Sequence, residues 1–241
     1  MRHMSLVLGC FLLGLSAPAA SAVTLGQIDT FEDGTTQGWA VNLAGFGVHP
    51  APPANVSTGG PDGTGDNFLL LTSFGGSGPG SRMTVGNLAQ WSGDYLAAGV
   101  GAISMSVNNL GSTDLFLRLL FEDPMGAPPT NVAFSIDAVF VAAGGGWQNI
   151  VFPVAPTDLT AQMGSVEAAL SGTTLLRLYH STASAGPNPI LPIEAVTAQL
   201  GVDNIQAQAA IPEPGTWALM IIGFGAVGLA MRRRRRVAVL A

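Results

Sequence analysis

The chain has no lysine, only two tyrosines and a single cysteine, and each shortage excludes some chemistry. A phosphate-binding loop of the Gly-x-x-x-x-Gly-Lys type is impossible without lysine. The one cysteine, Cys10, lies in the N-terminal apolar stretch. Once that stretch is cleaved, disulfides, thiolate chemistry and cysteine-bearing zinc sites are all excluded. Cations are scarce as well. Between residues 23 and 211 they are Arg82, Arg118 and Arg177, against fourteen acids once Glu213 is left out of the fifteen, a net charge near −11. Such a surface repels phosphate backbones and argues against nucleic-acid partners. Acidic polysaccharides are repelled too, unless divalent cations bridge them.

Catalytic signatures are equally thin. His49 and His180 are the histidines left after N-terminal cleavage, and neither has a companion at motif spacing. No Gly-x-Ser-x-Gly elbow or His-Glu-x-x-His helix is present. Glu122 and Asp123 are adjacent, which puts them on opposite faces of a strand or in a turn. A glycosidase needs two acids facing each other about 5–10 Å apart across a cleft, a relation a sequence does not display. The expectation is therefore a protein without catalysis.

The two ends are well marked. Arg2, the apolar run Leu6 to Leu15 and the small-x-small pattern Ala20-Ser21-Ala22 make a signal peptide over residues 1–22, with cleavage by signal peptidase after Ala22. A competing reading makes Cys10 a lipidated cysteine, because Val7-Leu8-Gly9-Cys10 is lipobox-like. The large Leu8, and an apolar region that runs on past Cys10, oppose it. At the other end come Pro212-Glu213-Pro214-Gly215-Thr216-Trp217, an apolar run to Met231, and Arg232-Arg233-Arg234-Arg235-Arg236. As a helix, residues 215–231 would be about 26 Å long at 1.5 Å per residue, just enough to cross a bilayer. Each arginine costs roughly 2.5–3.5 kcal/mol at a bilayer centre, so the block stays cytoplasmic and the bulk of the chain lies outside.

This tail resembles the PEP-CTERM sorting signal of exported bacterial proteins, on Pro212, Glu213, Pro214, Trp217 and Arg232 to Arg236. The resemblance implies recognition and processing by an exosortase, an inner-membrane tail anchor as precursor, and delivery to the periplasm, cell surface or extracellular matrix. Gly223-Phe224-Gly225-Ala226-Val227-Gly228 also satisfies the dinucleotide-binding Gly-x-Gly-x-x-Gly pattern. It lacks a preceding βα context, and small residues there suit close packing against another membrane helix.

The intervening 23–207 reads as one all-β domain, followed by a linker at 208–211. Ile103-Ser104-Met105-Ser106-Val107 alternates with period two, and Leu115 to Phe121 is apolar except for Arg118. Similar runs follow at 132–136, 139–142, 147–152, 175–179 and 202–207. Leu159 to Leu170 has helical spacing, with Asp158 as N-cap. Residues 50–66, 75–80 and 183–192 are rich in Pro and Gly and read as loops. Many short strands between Gly-rich turns predict an antiparallel β-sandwich, jelly-roll-like.

Phe31-Glu32-Asp33-Gly34 with Gly38-Trp39, Gly146-Trp147, and Val202-Asp203-Asn204-Ile205 are similar to landmarks of the galactose-binding-like jelly roll, a fold common in carbohydrate-binding modules. That resemblance implies first and last strands side by side, and one structural Ca²⁺ where an early acid meets a late one. Its ligands here would be Glu32, Asp33, Thr36 and Asp203, with Asn204 as a further oxygen donor. Asp62-Gly63-Thr64-Gly65-Asp66-Asn67 reads as a solvated turn, because the bidentate acid an EF-hand would need at its twelfth position is Ser73. Sugar binding requires an exposed aromatic platform. Trp39 and Trp147 follow glycines at strand starts, where burial is expected. Trp91 and Tyr95 flank Ser92-Gly93-Asp94 and are the candidate platform. The expected role is a structural component of the cell surface or exopolysaccharide matrix. The alternatives are a carbohydrate-binding module and, third, a polysaccharide-active enzyme.

Overall fold

The computed structural model describes residues 22–41, 48–126, 128–183 and 193–210, together with 221, 222 and 224. Among them the strands are β1 (Ile28–Asp29), β2 (Trp39–Ala40), β3 (Ala54–Val56), β4 (Phe68–Phe74), β5 (Thr84–Asn87), β6 (Ala102–Asn109) and β7 (Leu115–Asp123). They continue as β8 (Asn131–Ser135), β9 (Val139–Val141), β10 (Gln148–Pro153), β11 (Leu159–Met163), β12 (Leu175–His180) and β13 (Thr197–Gln208). A six-stranded sheet runs β10-β6-β13-β4-β3 with β1 against β13. A seven-stranded sheet runs β11-β8-β7-β12-β5-β2 with β9 against β7. All the pairings are antiparallel, and β1 lies beside β13 as the jelly-roll resemblance implies.

The core lies between the sheets and follows from the period-two alternation of each strand. Ile103, Met105 and Val107 of β6 and Ile150 and Phe152 of β10 face inward from one sheet. Leu117, Leu119 and Phe121 of β7 meet them from the other. Two of the intervening positions of β7, Phe116 and Leu120, are apolar as well, because part of the outer face of the seven-stranded sheet is also covered. There Leu120, Val132, Phe134 and Tyr179 form a second buried cluster with Met163, Ala183 and Ile193 against it. A strand buried on both faces has no reason to alternate in polarity.

One element differs from expectation. Leu159–Met163 is strand β11, paired with β8, and only Val166–Ser171 (α1) is helical. Gly164, at φ 63°, separates them, and Ser165 is the N-cap, accepting from the Ala168 backbone N–H at 3.1 Å. Asp158 instead closes a 3₁₀ turn, Pro156–Asp158, through a bond from the Ala155 N–H. A free sheet edge at β8 decided the outcome over helical spacing.

At the N-terminal end Ala22 is exposed, while Val23 is buried and donates its backbone N–H to the Ser92 carbonyl at 2.7 Å. Ala20, Pro212, Glu213, Pro214, Trp217 and Arg232 to Arg236 lie outside the described residues. So does the expected span 215–231, apart from Ile221, Ile222 and Phe224, which are helical and exposed. Among the described residues no helix is long and apolar enough to cross a membrane.

Candidate functional site

The outer face of the six-stranded sheet owes its chemistry to β13. Ala198, Leu200 and Val202 point into the core, and then the register shifts between Asp203 and Gln206. Asn204, at φ 51°, occupies this bulge. After it, Ile205 and Ala207 take the inward positions and Gln206 and Gln208 the outward ones. A bulge re-aims side chains in this way without breaking the sheet. Beside Gln206 lies Ser104 of β6, and beyond Ser104 lies Val151 of β10. Ser106 likewise pairs with Asn149.

The result is an open groove of about 660 Å³ lined by Ser104, Ser106, Asn149, Gln206, Gln208 and Trp147, among others. The Ser106 hydroxyl donates to Asn149 Oδ1 at 2.8 Å, and Gln208 Nε2 donates to Gln206 Oε1 at 3.1 Å. Each of these bonds fixes one end of an amide and leaves its other end available. The floor is a row of oriented neutral donors and acceptors. Of its lining side chains only Asp62 is charged.

Trp147 closes one end. Its indole N–H donates to the Gly59 carbonyl at 2.9 Å, and its ring meets Phe68 edge-on at 5.4 Å between centroids. It is half-buried, so the expectation that it lies in the core is corrected: it stands on the outer face, over Gly201. A Cβ at Gly201 would lie 3.0 Å from Trp147 Cη2 and 3.2 Å from Phe68 Cδ2. Glycine at that position is what allows the aromatic pair to lie against the sheet.

Trp91 and Tyr95 do not form a platform. Both are fully buried, because together with Trp39 they surround the carboxylate of Asp29. Trp39 Nε1 and Trp91 Nε1 each donate to Asp29 Oδ2 at 2.7 Å, and Gln90 Nε2 donates at 3.1 Å. Tyr95 donates its hydroxyl to the Trp91 carbonyl at 2.8 Å and packs edge-on against Phe121. Burial pushes the Asp29 pKa up, and the three N–H donors hold it back. This hub consumes the aromatic residues that sequence reasoning assigned to a ligand.

The expected calcium residues part company. Asp33 is exposed, and its carboxylate accepts from the backbone N–H and hydroxyl of Thr35, which lowers its pKa. Thr36 gives its carbonyl to the Trp39 N–H. Asp203 and Glu32 belong elsewhere, with Asp62 and Asp66 of the 58–67 loop. Asp203 is fully buried, and its oxygens accept from the Asn204 N–H at 2.7 Å and from Asn204 Nδ2 at 3.0 Å. Burial, reinforced by Asp66, Glu32 and Asp62, pushes its pKa up to about 7. Glu32 accepts from the Asn67 N–H and Asp66 from the Asp62 N–H, which binds the loop to this corner. The loop read from sequence as a solvated turn is therefore the fourth wall of an acidic corner. Its signal in the sequence was its oxygen donors at alternate positions. Among the described residues no three His, Cys, Asp or Glu side chains converge as metal ligands. Asp203 and the three carboxylates acting on it, Glu32, Asp62 and Asp66, are nevertheless the donor chemistry calcium favours, with carbonyls and amides to complete its shell.

The remaining titratable candidates are used structurally. His49 Nδ1 accepts from Ala51 N–H and His180 Nδ1 from Phe116 N–H, and burial lowers the pKa of His180. Glu122 is paired with Arg177 at 2.9 Å.

Comparison with known proteins places the PEP-CTERM protein-sorting motif at residues 210–236. No curated protein matches the chain in sequence. Among solved structures, an exo-β-agarase is similar with a TM-score of 0.50 and 14% identity, over 78% of this chain and 25% of that one. The chain thus spans about a quarter of that enzyme's length. A family 11 carbohydrate-binding module from Clostridium thermocellum, in complex with a β-1,3-1,4-mixed-linked tetrasaccharide, has a TM-score of 0.49 and 14% identity, over 79% of this chain and 99% of the module. A family 28 module specific for non-crystalline cellulose has a TM-score of 0.47 and 15% identity, over 78% and 98%. At such identities the likeness concerns the fold.

Proposed function

We propose that this chain is an exported, non-catalytic β-sandwich that holds a neutral polysaccharide strand in the groove on its six-stranded sheet. Delivered through its PEP-CTERM tail, it serves as a component of the cell surface or exopolysaccharide matrix. The observation that carries the reading is the groove itself: amides and hydroxyls in register, one fixed indole at the end, and no cation. Sugar hydroxyls both donate and accept, which suits paired amide ends, and a pyranose C–H face stacks on an indole. An open groove on a sheet face admits the middle of a chain as readily as its end. In this reading signal peptidase cuts after Ala22, an exosortase acts at Pro212-Glu213-Pro214, and Arg232 to Arg236 set the orientation.

The test is affinity electrophoresis through mixed-linkage β-glucan, agarose and non-crystalline cellulose, with Trp147→Ala beside the parent. Retardation that is lost in the variant, in a protein of unchanged melting temperature, supports the reading. Migration unaffected by every neutral glycan refutes it and leaves a structural role without glycan contact. New reducing ends appearing during incubation would instead indicate a polysaccharide-active enzyme. A calcium ion belongs to the same reading: binding it would require Glu32, Asp62, Asp66 and Asp203 to draw together, tying the 58–67 loop to β13. A melting temperature at pH 8 that is equal with calcium and with a chelator removes it.

A further inference from the structure

The outer face of the seven-stranded sheet presents the opposite chemistry. Met83 and Val85 face the core, so the positions of Arg82 and Thr84 face outward. By the same alternation Arg118 on β7 and Arg177 and Tyr179 on β12 point outward. All three arginines of residues 23–211 therefore stand on one sheet face of a domain carrying fourteen acids. Thr84, Tyr179 and Arg118 are directly paired across β5, β12 and β7, and Arg177 lies two positions along β12 from Tyr179. The directly paired side chains are about 4.5–5.5 Å apart at Cβ, and Arg177 follows about 6.6 Å along the strand.

Four buried polar side-chain atoms lack a hydrogen-bond partner among the described residues: Thr84 Oγ1, Tyr179 Oη, Arg118 Nε and Arg177 Nε. All four belong to this patch. Tyr179 is 1% exposed and Arg118 4%. The Arg118 guanidinium touches only carbonyls: Nη1 donates to Ser135 at 2.8 Å and to Ile136, and Nη2 to Ala183 at 2.6 Å. Asp137 and Glu194 act on its charge without bonding to it, and Glu122 is bonded to Arg177. All four atoms carry a proton to donate. The Tyr179 hydroxyl keeps its own, since burial holds its pKa at about 12. Buried polar groups are normally satisfied, and two cationic N–H groups that can only donate, beside two hydroxyls that can donate as well as accept, are complementary to an acceptor-only group with negative charge.

We infer that this patch is a binding site for a small oxyanion, a carboxylate or phosphate group, held by Arg118, Arg177, Tyr179 and Thr84. It is a second site, on the sheet away from the groove, and does not depend on the groove binding sugar. The test titrates the full chain, purified in detergent, with inorganic phosphate and separately with sodium glucuronate, each against sodium chloride at equal ionic strength, reading the melting temperature. The expected result is a saturable rise with at least one of them, with the dissociation constant weakened at least fivefold in both Tyr179→Phe and Thr84→Val. Trp147→Ala leaves the titration unchanged. Phosphate alone stabilising assigns the site to phosphate groups, and glucuronate alone assigns it to sugar acids. No saturable rise overturns the inference, as does a rise that both variants retain in full. Should one variant fail to fold, the other carries the comparison.

Discussion

The buried carboxylate of Asp203 makes stability depend on pH in a direction opposite to ordinary acid denaturation. Its pKa stands at about 7 in the fold against a reference of 3.8, roughly three units. Each unit is worth about 1.4 kcal/mol, so the ionised form costs the fold up to about 4 kcal/mol; relaxation of the 58–67 loop and of solvent brings the expected value to about 2–4 kcal/mol. The neutral carboxyl is the favoured form, so its advantage is complete below pH 4 and is lost as pH rises through about 7. Asp203→Asn keeps the shape and removes the charge. In chelator-containing buffer at pH 8 the variant should melt higher than the parent by roughly 5–10 °C, at about 2–4 °C per kcal/mol for a domain of this size. The difference should shrink below pH 6 and vanish near pH 4. Urea unfolding of both proteins from pH 4 to 8.5 measures it directly. A variant less stable than the parent at pH 8, or a difference that does not change with pH, would refute the account of Asp203 as an acid without a cation.

The other predictions concern packing, the ends and the aromatic hub. Gly201→Ala must push Trp147 or Phe68 by a few tenths of an ångström, at about 1–3 kcal/mol; urea unfolding reads the cost, and retention on glycan gels should fall with it. Trp91→Ala should cost about 3–5 kcal/mol through its cavity and through one lost donor to Asp29, so it unfolds the domain rather than selectively weakening glycan retention. Intact mass of the protein from its native host should start at Val23 and lack Arg232 to Arg236; a mass that retains the arginines removes processing.

What the sequence displayed depended on how local the deciding interaction is. The alternation at Ile103 to Val107 is a direct copy of the pleat, and β6 follows from it. Leu159 to Met163 has helical spacing, yet its state was decided by hydrogen bonds to β8, more than twenty residues earlier in the chain. Trp91 and Tyr95 looked like turn residues free to face solvent, because nothing near them reveals Asp29, sixty-two residues before Trp91. The same carboxylate buries Trp39, where the expectation of burial was right. Trp147 was misplaced for the converse reason: its outward position depends on a missing side chain at Gly201. Glu32 and Asp203, expected as an early and a late acid of one calcium site, do act on each other in one corner, with no bearing on calcium itself. Their partners Asp62 and Asp66 were set aside, because only the fold of the 58–67 loop brings them there.

The position of the groove on β13 ties it to the tail. Gln206 and Gln208 line it, and Ala209, Ala210 and Ile211 are all that separate Gln208 from Pro212. At about 3.5 Å per extended residue, the edge of the groove lies within roughly 14 Å of the sorting motif. A polysaccharide strand long enough to leave the groove on that side would meet whatever the tail is attached to. If the precursor is held at a bilayer, as proposed, that side is obstructed, and release or transfer would open it. Binding measured on precursor and on processed protein should therefore differ for long glycans and agree for short oligosaccharides. Equal affinity of both forms for long chains would place the exit of the groove away from β13.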